Sequence, residues 1–215
     1  LTPLNGDRAD ISLPASQVDF IKELAIHGAK IVLVVTGGSP IALGEVMDMV
    51  DAVLFVWYPG MEGGRAVADV LFGDMSPAGR LPLTFPKSLE QLPPFDDYNM
   101  TGRTYRYMTA EPLYPFGFGL SYTTFAYRDL QIGSPTEAGF EATVIVENTG
   151  AVAADDVVQF YLSALDSELP APLSQLIGFQ RVHLQPGESR TVTLVVKPEM
   201  LMLFDENGRQ VFQPG

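Results

Sequence analysis

Cysteine is absent from the chain, which excludes disulfides and thiolate metal sites outright. Histidine is scarce: His27 and His183 stand far apart, neither with a second histidine nearby. A zinc site or a Ser–His pair has no ring partner to build on, and the plain reading puts one imidazole on a helix and the other on a strand face. Basic residues are outnumbered, 13 against 26 acidic ones, for a formal net charge of -13. Nucleic-acid binding leans on clustered Lys and Arg, so no nucleic-acid partner is expected and the acidity reads as solubility. No apolar run approaches the roughly 18 residues of a membrane span, and no membrane partner is expected. Leu1–Asp10 has neither the basic start nor the apolar run of a secretory signal. The chain opens on Leu1 rather than Met, so it is expected to be a processed or trimmed piece.

Catalytic signatures are missing as well. There is no GxSxG nucleophile elbow. Gly37-Gly38-Ser39 lacks the lysine and spacing of a phosphate loop and reads as a tight strand-to-helix turn, while Gly117-x-Gly119 has no helix after it to make a dinucleotide fingerprint. Asp96-Asp97 and Asp155-Asp156 are sequence neighbours, and neighbours on an extended chain point to opposite sides, which makes them poor two-carboxylate pairs. No metal and no cofactor are expected.

What is present is a core. Of 215 residues, 47 % are hydrophobic and 18 % charged, the balance of a globular protein with one large domain or two ordinary ones. Residues 13–28 carry Val18, Ile21, Leu24 and Ala25 at helical spacing, with Gly28 as a stop. Residues 30–38 form a short β-branched run, the signature of a strand buried on both faces. A helix over 40–51, a second buried strand over 52–60 and a helix over 62–74 follow. This alternation predicts an open α/β layer with a parallel sheet. Glu62 opens the last helix, where the dipole favours a carboxylate. Trp57, the sole tryptophan, lies with Tyr58 at the carboxyl end of the second strand, where open α/β sheets hold ligands. Both residues are candidates for lining a groove, against core packing as the plainer role.

Residues 75–126 lose regular periodicity and read as a long proline-rich excursion. From about 127 the period becomes two, over 140–150, 155–165, 175–198 and 208–215. Turns are expected at Asn148-Thr149-Gly150, where Asn and Gly tolerate positive φ, and at Gln185-Pro186-Gly187. Short alternating strands at this spacing predict an immunoglobulin-like β-sandwich, an architecture of about seven strands, here short of its last one. The organisation expected is thus 1–105 for the α/β part, 106–126 for a linking strap and 127–215 for the sandwich. Within the strap, Tyr114, Phe116, Phe118, Tyr122 and Phe125 bring large buried area and are expected to pin the sandwich to the α/β layer and start its first strand, rather than to cradle a ligand.

Four stretches, DRADISLPASQ (7–17), VVTGGSPIAL (34–43), WYPGMEGGRAVADVLFGDMSPAGRLPLTFPKS (57–88) and YPFGFGLSYTTF (114–125), resemble the C-terminal half of glycoside hydrolase family 3. The resemblance runs over essentially the whole chain, in order. It implies an N-terminal barrel outside this chain, most of an α/β sandwich domain and most of a fibronectin type III-like domain. It also implies a secreted or periplasmic, retaining exo-β-glycosidase acting on an oligosaccharide or aryl β-glycoside. In that mechanism an aspartate nucleophile and a glutamate acid/base stand about 5–5.5 Å apart. The nucleophile belongs to the barrel. Asp7 and Arg8 match a motif flanking the acid/base loop and are expected to brace it. Leu1–Gly6 offer no proton donor, so the glutamate is expected further upstream, the alternative being a catalytically incompetent relative. The segment LPPFDDYNMTGRTYRYM (92–108) is closer to β-xylosidase-type members, leaving the sugar glucosyl or xylosyl. The rival reading is a non-catalytic carbohydrate-binding or scaffolding module, for which the sandwich offers few solvent-side aromatics.

Overall fold

The computed structural model describes residues 10–212, and these fall into two compact units. The first comprises residues 10–72 and Leu81–Phe118; the second comprises Gly73–Arg80 and residues 119–212.

In the first unit, α1 (Ala15–Ile26) begins at Pro14, whose carbonyl accepts hydrogen bonds from the amides of Gln17 and Val18. It ends where Gly28 takes φ +67° and donates to the carbonyl of Ala25, the usual glycine stop. Strands β1 (Val32–Thr36) and β2 (Ala52–Trp57) pair in parallel, and α2 (Gly63–Leu71) follows. Val18 and Ile21 of α1 pack on Val35, Ile41, Leu43 and Val46, with Leu33, Val53 and Phe55 alongside. Each such side chain taken out of water contributes about 1.5–3 kcal/mol.

Two expectations are corrected here. No α-helix covers 40–51: Ile41–Leu43 runs extended, Ala42 bridges Ser12 and donates to the carbonyl of Ile11, and only Met47–Met49 coils, as a 3-10 turn. Ile41, Ala42 and Leu43 are buried in succession and held extended by the Ala42–Ser12 bridge, and Gly44 inside the expected helix disfavours it. Nor is β1 buried on both faces. Val35 is buried, but Val32 and Val34 are exposed, because this two-stranded sheet packs its side chains into a core on one side only.

The second unit is a sandwich of antiparallel strands. β3 (Phe125–Ile132), β4 (Phe140–Asn148) and β7 (Ser189–Val196) form one sheet in the order β3-β4-β7, and β5 (Ala154–Leu162) with β6 (Gln175–Leu184) forms the other. A small hairpin of β8 (Leu203–Phe204) and β9 (Gln210–Val211) comes last. Val144, Val146, Val158, Phe160, Val182, Leu184, Val192 and Val196 fill the space between the sheets, with Phe125 packed against them. Between Arg128 and Gln131 the ladder slips by one residue at Asp129, which takes φ +57°. The turn after β4 is built differently from the expectation. Asn148 keeps an extended strand position, fully buried, and its amide donates to the carbonyls of Val152 and Leu184 while its oxygen accepts from Thr123 Oγ1 and the Gly150 amide. Gly187, in the β6–β7 turn, does adopt positive φ.

The paired acids at the start of β5 behave as an extended chain dictates. Asp155 faces outward and binds Arg181 Nε at 2.5 Å and His183 Nδ1 at 2.6 Å. Its neighbour Asp156 is 2 % exposed and meets Arg80 Nη2 at 2.5 Å, the Tyr127 hydroxyl and the Val157 amide. Arg80 belongs to the Gly73–Arg80 segment, so one buried ion pair fastens that segment into the sandwich. Burial and the hydrogen bond to Asp156 push the Tyr127 phenol well above its ordinary pKa. Bonds from His183 and Arg181 hold the Asp155 carboxyl below the usual carboxylate range.

Asp156→Ala, which strands a largely desolvated guanidinium, is expected to lower stability by about 3 kcal/mol, read as a drop in the urea midpoint. Asp155→Ala, one residue away on the outer face, should cost about 1 kcal/mol or less. The Asp155 contribution is complete above its unfolded pKa near ~4 and drains as pH falls through the lower folded value, so wild type and Asp155→Ala should converge in acid. Equal losses for the two variants at neutral pH would contradict this placing.

Candidate functional site

The carboxyl end of the parallel sheet gathers the unusual geometry of the first unit. After Val35 pairs with Phe55, the register slips and Thr36 faces Trp57, leaving Val56 as an extra residue on β2. Trp57 then takes φ +55°, a left-handed conformation that costs a non-glycine residue of order 1–3 kcal/mol. Its carbonyl still accepts from the Gly37 amide at 3.2 Å, which holds the loop after β1 against the end of β2. The half-buried Trp57 ring lies edge-on to Phe55, with centroids 4.5 Å apart, and to Phe85 at 6.2 Å. Phe85 is 1 % exposed and also meets Phe55 and Tyr114. Backbone bonds fix it in place: its amide donates to the Tyr114 carbonyl, and its carbonyl accepts from Leu113 and Tyr114. Tyr114 stacks on Phe118 and donates its hydroxyl to Met47 Sδ, and burial raises its phenol pKa. A strained tryptophan is thereby held from behind by rings, while Tyr58 next to it is 79 % exposed.

The structure thus brings Trp57 and Tyr58 together with the Gly37-Gly38 turn on one edge. That turn leads into the extended stretch Ile41–Leu43, not into a helix. Asp7 and Arg8 lie outside the described residues. Glu62 occupies the N-cap of α2 without a side-chain cap bond. Asp97 is tied up locally, accepting from the Asn99 amide and side chain, which holds its carboxyl below the ordinary range. Among the described residues no cluster of His, Cys, Asp or Glu could hold a metal ion. No helix among them is long and apolar enough to cross a membrane.

Residues 4–122 match the model of the glycosyl hydrolase family 3 C-terminal domain, more than half of the chain. The chain belongs to glycosyl hydrolase family 3. Residues 156–215 match a fibronectin type III-like domain, in keeping with the mixed α/β region followed by antiparallel sheets. The chain is 40 % identical over 225 residues to a periplasmic β-glucosidase of Salmonella typhimurium, covering 98 % of this chain and 29 % of that protein. It is 41 % identical over 212 residues to a xylan 1,4-β-xylosidase of Xylanibacter ruminicola, covering 98 % and 24 % respectively. Among solved structures, a Listeria innocua β-glucosidase in complex with glucose superposes with a TM-score of 0.85 at 30 % identity, covering 98 % of this chain and 31 % of that one. A β-glucosidase of Erythrobacter marinus gives 0.86 at 36 %, covering 98 % and 29 %. This family 3 chain therefore spans less than a third of the length of these relatives.

Two structural residues of the family 3 chain, Phe85 and Arg80, escaped sequence reasoning. Phe85, in the aperiodic 75–126 stretch, carries the ring cluster behind Trp57. Arg80 and Asp156 form a pair across 76 positions. A signal did exist for Phe85, since it lies inside one of the family-like stretches, but nothing local marks it as buried. Because Trp57 is the only tryptophan, its emission reports this cluster directly. Phe85→Leu should keep the fold by circular dichroism yet shift Trp57 emission to longer wavelength as water reaches the ring. An unshifted spectrum would detach Trp57 from Phe85. Phe85→Ala should cost about 3–5 kcal/mol of stability.

Proposed function

We propose that this chain is the C-terminal part of a retaining exo-β-glycosidase that removes terminal non-reducing β-D-glucosyl or β-D-xylosyl residues from oligosaccharides or aryl β-glycosides. The observation that carries this reading is near-equal identity, over 98 % of the chain, to a β-glucosidase and a β-xylosidase. That balance also leaves the sugar at glucosyl or xylosyl. The nucleophilic aspartate and the acid/base glutamate lie outside the chain, on or next to an N-terminal barrel of the same protein, with Asp7 and Arg8 bracing the acid/base loop. The acidic pairs support this division: Asp155 and Asp156 are each committed to structural partners on opposite faces of β5, and Asp97 to its own turn. Trp57 and Tyr58 supply substrate-binding surface from the carboxyl end of the sheet. A secreted or periplasmic location follows from oligosaccharide substrates and is supported by the periplasmic relative.

Two bare surfaces fit a chain that works as part of a longer polypeptide. Parallel sheets are covered on both faces, yet Val32 and Val34 of β1 are exposed at 46 % and 38 %. In the sandwich, β5 pairs only with β6 among the described residues, and beside it opens an apolar cleft of about 660 Å³ lined by Tyr127, Ile132, Phe140, Val158, Phe160 and Ile177.

The isolated chain is expected not to hydrolyse aryl β-glucosides or β-xylosides, while the polypeptide as encoded does so. Turnover by the pure chain would refute the placing of both carboxylates. Calorimetric titration with cello- and xylo-oligosaccharides tests the rival carbohydrate-binding module, for which Phe179 on β6, 69 % exposed, is the most exposed aromatic ring among the described residues of the sandwich strands. Silence of the isolated chain supports the hydrolase reading; saturable binding that is abolished in Phe179→Ala would favour the module.

A further inference from the structure

The Gly37-Gly38 turn has no phosphate-loop chemistry, and Gly38 is not in the positive-φ conformation that requires glycine. Its lack of a side chain answers a different need. A Cβ on Gly38 would stand 2.7 Å from Tyr58 Cε2, 3.1 Å from its hydroxyl oxygen and 3.3 Å from Cζ, so the tyrosine ring lies directly against the glycine. The far side of that loop repeats the device: a Cβ on Gly63 would stand 2.6 Å from Pro59 Cγ. Trp57 is held by Phe55 and Phe85. The loop from Trp57 to Gly60 is therefore set by rings behind it and by two side-chain-free positions beside it.

We propose that Gly38 is a positioning residue, whose bare backbone fixes where the Tyr58 ring presents its face and hydroxyl to the sugar. This rests on the reading of Tyr58 as substrate-binding surface. Aromatic rings meet pyranosides as flat apolar surfaces with a polar tip, so a ring displaced by even a methyl group changes the fit without touching the reacting atoms. Because a methyl at position 38 would meet only outer ring atoms of an exposed side chain, it is expected to displace the ring rather than strain the backbone.

The test uses Gly38→Ala, Tyr58→Ala and the double variant in the polypeptide as encoded. Aryl β-glucoside and β-xyloside kinetics are measured together with nuclear Overhauser effects between the Tyr58 ring and residue 38. Gly38→Ala is expected to replace the ring contacts of the Gly38 α-protons by contacts of the new methyl and to shift the Tyr58 ring resonances, to raise KM by about 3–10-fold with kcat within about 2-fold, and to leave the thermal midpoint unchanged. The double variant should be no worse than Tyr58→Ala alone, because both act through one ring. An unmoved ring with wild-type kinetics in Gly38→Ala, while Tyr58→Ala is impaired, overturns the positioning role alone. Wild-type KM in both single variants, although the ring has moved in Gly38→Ala, overturns it together with the assignment of Tyr58 to the substrate.

Discussion

One buried carboxylate decides the course of the chain through the sandwich. Asp156 sits at 2 % exposure, where an unpaired charge is not tolerated, and Arg80 is the cation that meets it. Arg80 ends a segment that leaves the α/β unit after Phe72 and returns to it at Leu81. That excursion is held by more than the ion pair. Ser76 and Ser121 share a hydrogen bond, the Tyr122 amide donates to Ser76, and a Cβ on Gly119 would stand 2.1 Å from the Gly79 carbonyl. Gly119 of the aromatic strap is thus a place where two backbones touch, and the Tyr127 hydroxyl on β3 donates a further hydrogen bond to Asp156.

The strap itself divides between roles. Tyr114, Phe116 and Phe118 pack within the α/β unit, through Phe85, Tyr105 and one another, while Phe125 opens β3 and joins the sandwich core. The same rings that give the strap its sequence signature end as the support behind Trp57. Strain at that residue is sustained because Phe55 and Phe85 fix the ring and the Gly37 amide fixes the carbonyl. In the proposed role, the exposed tyrosine in front of these packed aromatics is the surface offered to a flat apolar face of a ligand. The catalytic carboxylates of the proposed reaction come from elsewhere in the polypeptide.

Much of this architecture is legible from local pattern. The helices α1 and α2 and the strands β1 and β2 follow from apolar spacing and glycine stops, and the sandwich strands from their period of two. Trp57 and Tyr58 stand out because rare aromatics at a strand's carboxyl end are conspicuous without any coordinates. Residues 40–51 misled because their apolar residues fit a helix and a buried extended run equally well. What settles the choice is the pairing of Ala42 with Ser12, a contact made by folding. The burial of β1 was overestimated for a related reason: a β-branched run records what the strand prefers, not what covers it.

Local pattern alone established α1, β1, β2 and α2 in order, the change of period near 127, the absence of thiol and phosphate-loop chemistry, and the opposed directions of Asp155 and Asp156. These are properties of neighbours along the chain, set by backbone geometry and residue type. Only the tertiary structure decided that Arg80 meets Asp156, that Phe85 backs Trp57, and that Gly38 gives way to the Tyr58 ring. Each of these joins residues between about twenty and seventy-six positions apart, and closing loops of that length depends on how the whole chain packs rather than on any local preference.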